Sequence, residues 1–183
     1  MIKAKIAVFC GSMKGPNLEH QVLAKKITTY LVKENYGIIY GGGQNGLMGI
    51  VANTALDLGG QVTGIIPEFL DNREKINKRL NKLIITKTME ERKKIFLNKA
   101  DFFLALPGGG GTIEEISLVI SANQLKIIKN KPIIIYNYKN YWSGLIKQYQ
   151  VVPSKNYSKK DILSFFTVCK NLKELSKLLP NKL

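Results

Sequence analysis

Short apolar runs alternate with helical periods along most of this chain. Ala4–Cys10, Gly37–Tyr40, Gln61–Ile66, Leu83–Thr86, Asp101–Leu106 and Pro132–Tyr136 are rich in Ile, Val and aromatic residues, and their apolar side chains mostly follow one another without polar alternation. Such runs suit strands covered on both faces, as in a parallel sheet. Between them, Leu18–Glu34, Leu47–Leu58, Met89–Lys99, Thr112–Leu125 and Tyr141–Tyr149 repeat apolar residues at helical spacing, and Leu172–Leu179 reads as a last helix in a polar tail. This rhythm predicts an α/β fold: a doubly wound, mostly parallel sheet in a three-layer α-β-α arrangement. With no linker, internal repeat or low-complexity block, residues 1–183 are expected to form a single domain with a basic C-terminal helical tail. Pro67–Asn81 has no firm period and reads as a surface connection, a lid being the alternative.

Composition narrows the setting. The chain has 183 residues, 45% of them hydrophobic, enough to bury a full core. No run reaches the ~18 apolar residues of a membrane span, and the apolar part of Met1–Cys10 is too brief for a secretion signal, so no membrane partner is expected. Cys10 and Cys169 cannot build a disulfide framework, which points to a reducing, cytoplasmic location. The net charge of +15 raises nucleic acid as a partner, but residues 126–183 hold 12 Lys/Arg against 2 Asp/Glu, away from the glycine-rich segments. Without a helix-turn-helix, zinc-finger or base-stacking motif, no nucleic acid is expected. The basic surface would instead help steer a phosphorylated small molecule.

Three strand ends carry small residues: Cys10-Gly11-Ser12, Tyr40-Gly41-Gly42-Gly43-Gln44-Asn45-Gly46 and Pro107-Gly108-Gly109-Gly110-Gly111-Thr112. In a parallel sheet these ends share one ligand crevice. Glycines at a helix start let backbone N–H groups approach an anion and can take up positive φ, so Gly108–Thr112 read as a phosphate cradle. Gly41, Gly43 and Gly46 have dinucleotide-motif spacing, but after the second strand, and the acid expected downstream is only Glu68, beyond Pro67. Glu114 and Glu115 would repel a phosphate and point to a second task beside it. Of the two, Glu114 is expected to point elsewhere, because adjacent helical residues diverge by about 100°.

Arg92 and Lys93 open the helix on the same rim and can reach the cradle; taken by themselves they read first as a solvated charge run, with Glu90 and Glu91 paired to Lys94 or its neighbours. His20 reads as a surface histidine. One His and two separated Cys make no metal set, so no metal is expected. Carboxylates, Arg and Lys beside phosphate donors suit cleavage at a sugar carbon through an oxocarbenium-like transition state.

Gly41-Gly-Gly-Gln-Asn-Gly-Leu-Met-Gly49, Met89-x-x-Arg92-Lys93 and Pro107-Gly-Gly-x-Gly-Thr-x-x-Glu115, in this order, resemble the LOG ("Lonely Guy") family of cytokinin riboside 5'-monophosphate phosphoribohydrolases, often labelled lysine decarboxylases. The resemblance runs from Phe9 to roughly Tyr141; no pyridoxal-phosphate signature accompanies it. It implies a Rossmann-like fold, a homodimer, no cofactor, and hydrolysis of the N-glycosidic bond of AMP or N6-modified AMP to free base and ribose 5-phosphate. By position, the catalytic residues fall on Arg92 and Glu115. Substrate binding falls on Met89, Lys93 and the phosphate loop Gly108, Gly109, Gly110, Gly111 and Thr112, with Ser12, Gly42 and Gly43 lining the same crevice. Two departures bear on base selectivity: Gly110 stands where an aromatic is frequent, and Ala122-Asn-Gln-Leu-Lys126 where the family tends to have Trp-Ala-Gln-Leu-Gly. A nucleotide or molybdenum-cofactor carrier of related fold, binding without turnover, is the alternative.

Overall fold

Seven strands, β1 (Ala4–Phe9), β2 (Tyr36–Tyr40), β3 (Val62–Pro67), β4 (Lys82–Thr86), β5 (Phe102–Ala105), β6 (Ile133–Tyr136) and β7 (Phe166–Cys169), pair in parallel in the order β4-β3-β2-β1-β5-β6-β7. This computed structural model describes residues 2–71, 75–129, 131–157 and 160–179. The strands interleave with α1 (Leu18–Lys33), α2 (Gly46–Asp57), α3 (Glu68–Asp71), α4 (Met89–Lys99), α5 (Gly110–Gln124), α6 (Ser143–Ser154) and α7 (Leu172–Leu178). Chain direction across the sheet reverses between β1 and β5, whose registers match Val8 with Leu104 and Phe9 with Ala105. Their carboxyl ends form the crevice in which such sheets take ligands.

Alternate residues of the central strands feed two cores. Ile6, Val8, Tyr40 and Leu104 pack with α1, α2 and α7 on one face, and Ala7, Phe9, Phe103 and Ile135 with α4, α5 and α6 on the other. Phe9 stacks on Phe103 at 5.7 Å and meets Phe96 of α4 edge-on at 5.5 Å. Side chains filling both faces at every central strand explain the unalternating apolar runs. No helix among the described residues is long and apolar enough to cross a membrane.

The structure departs from the sequence reading in three places. The tail contributes β7, which extends the sheet beside β6, as well as a helix. The segment expected to be one loop contains α3, and its later part is tied down: the Gln44 N–H donates to the Lys75 carbonyl at 2.7 Å, Gly43 bridges Ile76, and the Asn77 N–H donates to the Gly42 carbonyl at 3.2 Å. Those bonds oppose a lid formed by residues 75–81; residues 72–74 lie outside the described residues. Finally, α5 starts two residues earlier than expected, taking Gly110 and Gly111 into its first turn.

Candidate functional site

The two glycine loops do different work. In the first, Gly42 and Gly46 have φ of +86° and +62°, a Cβ on Gly46 would collide with the Ser12 backbone, and one on Gly49 with the Gln44 carbonyl. This close approach brings the N–H groups of Leu47 and Met48, at the start of α2, onto the carbonyl oxygen of Gly11 at 3.0 and 3.2 Å. Two of the four first-turn donors that a dinucleotide pyrophosphate would use are therefore already engaged, which counts against the G-x-G-x-x-G reading.

The second loop has the opposite character. Positive φ is absent from Gly108–Gly111, so the backbone freedom anticipated there is not what the glycines supply. Gly108 is required by packing, since a Cβ would collide with Thr112 and stand 2.9 Å from the Gly11 nitrogen; Gly109, Gly110 and Gly111 have nothing within 4 Å of theirs. The amino end of α5 has Gly109 as N-cap without a side-chain cap, and helix geometry leaves the N–H groups of Gly109 to Thr112 without intrahelical acceptors. Space on one side and unmatched donors on the other suit an anion.

Arg92 and Glu115 face each other across this end. Thr88 caps α4 by accepting from the Glu91 N–H at 3.1 Å, and the Glu91 carboxylate accepts from the Lys87 N–H at 2.7 Å. That start sets Met89, Arg92, Lys93 and Phe96 on one face, at helical spacings of three, four and seven. Arg92 Nη2 donates to Glu115 Oε1 at 3.2 Å, with the two side chains only 13% and 20% exposed. The guanidinium also lies 5.4 Å from the Phe96 ring centre. Lys93 pairs with Glu114 at 2.5 Å nearer solvent, where Glu114 is 51% exposed. The charge run is thus not simply solvated, and Glu114, expected to point elsewhere, stands at the cavity rim.

The cavity measures ≈ 210 Å³ and brings together Ser12, Met89, Arg92, Lys93, Gly109, Gly110, Gly111, Thr112 and Glu115. Gly108 supports it from behind, and Gly42 and Gly43 are not among its walls. The sequence reading missed an apolar base made by Phe9, Cys10, Met48, Phe96 and Leu118. Its signal was present in spacing: Phe96 follows Arg92 by four residues, and Leu118 follows Glu115 by three. Cys10 is no nucleophile here, because burial, reinforced by the charge of Glu115, pushes its thiol far above the ordinary value. His20 stands outside the cavity, edge-on to Tyr138 and Tyr141. Among the described residues, no cluster of His, Cys, Asp and Glu could hold a metal.

Residues 48–179 match a family model described as possible lysine decarboxylase. A probable cytokinin riboside 5'-monophosphate phosphoribohydrolase of Oryza sativa subsp. japonica is 35% identical over 93% of this chain and 74% of its own. The enzyme of that name from Rhodococcoides fascians is 34% identical over 91% and 84%. One from Arabidopsis thaliana is 39% identical over 78% and 66%. In fold, the chain is similar to the molybdenum cofactor carrier protein of Chlamydomonas reinhardtii, with a TM-score of 0.70 and 17% identity over 96% of both chains. The molybdenum cofactor binding protein of Rippkaea orientalis gives 0.69 and 20% over 97% and 96%.

Proposed function

The chain belongs to the LOG family, and on that premise we propose that it hydrolyses the N-glycosidic bond of AMP or an N6-modified AMP, releasing the free base and ribose 5-phosphate. The observation that carries this reading is the Arg92–Glu115 pair, held within reach of the open amino end of α5. A 5'-phosphate bound at Gly109–Thr112 places the sugar over Glu115. The Glu115 carboxylate then stabilises positive charge growing on the anomeric carbon and orients the attacking water, while Arg92 fixes that carboxylate and offers its fork to the substrate. The apolar base beneath receives the purine. The homodimer implied by the resemblance and the cytoplasmic location read from the two cysteines belong to the same proposal; exposed Leu83 and Ile85 on edge strand β4 support association.

The test is incubation of the purified protein with AMP and with N6-isopentenyl-AMP, with chromatography of the released base. Release of base with ribose 5-phosphate is expected. Tight AMP binding without release would overturn the proposal in favour of a carrier.

A further inference from the structure

Three successive carbonyls of the phosphate loop are each held by a different part of the chain. Pro107 O accepts from the Gly11 N–H at 3.1 Å, and Gly109 O from the Ile113 N–H at 3.1 Å. Between them, Gly108 O accepts from the hydroxyl of Tyr141 at 2.7 Å. In a trans peptide the C=O and the following N–H point in opposite directions, so whatever fixes Gly108 O also aims the Gly109 N–H. Flanking glycines leave that peptide freer to rotate than any other pair would.

Tyr141, 45% exposed, is braced by two ring contacts. Its ring meets Trp142 at 4.8 Å and His20 at 5.4 Å, both edge-to-face. Trp142 is buried, and its backbone N–H donates to Asn137 Oδ1 at 2.7 Å; the Asn137 backbone N–H in turn donates to the Cys169 carbonyl on β7 at 2.7 Å. The elbow between β6 and α6 turns back through Lys139 and Asn140, with φ of +48° and +63°. Two consecutive left-handed residues that are not glycine carry a steric cost that a plain connection would avoid. That cost persists in an elbow whose outcome is to lay one hydroxyl on the loop.

We propose that Tyr141 is a positioning residue of the phosphate site: it never touches substrate, and it aims the Gly109 N–H at the 5'-phosphate. This rests on the proposed phosphoribohydrolase reading of the loop. The test is Tyr141→Phe, which keeps both ring contacts and removes only the hydroxyl. Calorimetric titration with ribose 5-phosphate should show affinity falling about tenfold, the value of one hydrogen bond to a charged group. Binding of adenosine, which has no phosphate, should be unchanged, as should the melting temperature. In turnover, KM for AMP should rise with kcat nearly retained. Unchanged ribose 5-phosphate affinity, or an equal loss for adenosine, would overturn the assignment, as would a wild-type protein that does not bind ribose 5-phosphate. A wild-type protein that binds ribose 5-phosphate but releases no base would overturn the hydrolase reading alone, and the binding comparison would still decide the role of Tyr141.

Discussion

A Cβ placed on Gly41 would stand 2.9 Å from Nη2 of Arg92. The bare backbone at the end of β2 is therefore the floor on which the guanidinium lies while it reaches Glu115. The other obstacle to a side chain there is Met48 Sδ at 2.8 Å, also the far end of a flexible chain. Gly41→Ala should fold, because both neighbours can swing aside, but Arg92 must move by some tenths of an ångström. Activity on AMP is expected to fall about 10- to 100-fold, since small displacements of reacting groups are costly. A kinetic assay beside a melting curve checks this; wild-type turnover would mean that Arg92 need not sit on Gly41.

Glu115→Gln keeps the shape of the site and removes the charge proposed to meet the sugar cation. Base release should drop by about 10²- to 10³-fold with folding retained. Arg92→Lys should also cost heavily, since an ammonium cannot reproduce the planar fork. Glu114→Gln, altering the exposed partner of Lys93, should change the rate by less than about tenfold, as exposed ion pairs contribute little. Steady-state kinetics of the three variants gives the order; near wild-type rates in Glu115→Gln would remove the carboxylate from the chemistry.

How far this site was legible from the residues follows from where its signals lie. The central strands were readable because burial on both faces removes polar alternation, as at Ile38–Tyr40 and Phe102–Leu106. Strand β7 was not: its four residues Phe166–Cys169 follow a lysine-rich stretch at the sheet edge, and Thr167 interrupts the apolar run. Gly110 and Gly111 are poor helix formers, so the start of α5 predicted from sequence falls late; the proposed anion site accounts for them where propensity does not. The crevice was foreseen as three glycine-bearing strand ends, but not that Gly11 would cap α2 and leave only α5 open, since nothing local distinguishes the two helix starts. Tyr141 was invisible for a plainer reason: its partner Gly108 is 33 residues away in sequence.

At the end of α5, Leu125 is followed by Lys126 with φ of +57°, whose N–H donates to Asn123 O at 3.0 Å while the Ile127 N–H donates to Ala122 O at 2.9 Å. This is a Schellman close, which favours glycine at the left-handed position. Lys126→Gly relieves about 1–2 kcal/mol of strain and loses about 0.5–1 kcal/mol to the freer unfolded chain. A net gain of about 0.5–1 kcal/mol should raise the melting temperature by about 1–4 °C. Calorimetry on the variant measures it. A lower melting temperature would show that the lysine side chain contributes more than its backbone strain costs.

Gly109 and Gly108 are neighbours with opposite expected responses to a methyl group. Gly109→Ala adds a Cβ with nothing within 4 Å, so folding should be untouched. Only a ligand approaching the amino end of α5 can meet that methyl, and AMP affinity should fall by about tenfold or more as the N–H donors are held off the phosphate. Gly108→Ala drives its Cβ into Thr112 and toward the Gly11 nitrogen, so it should lower the melting temperature as well as activity. The phosphate itself supplies the complementary measurement: AMP should be cleaved and adenosine should not, because binding energy at the remote phosphate orients the reacting sugar. Melting curves for both variants and base release from both substrates decide the matter. Equal hydrolysis of AMP and adenosine, or full AMP affinity in Gly109→Ala, would remove this loop as the anchor of the site.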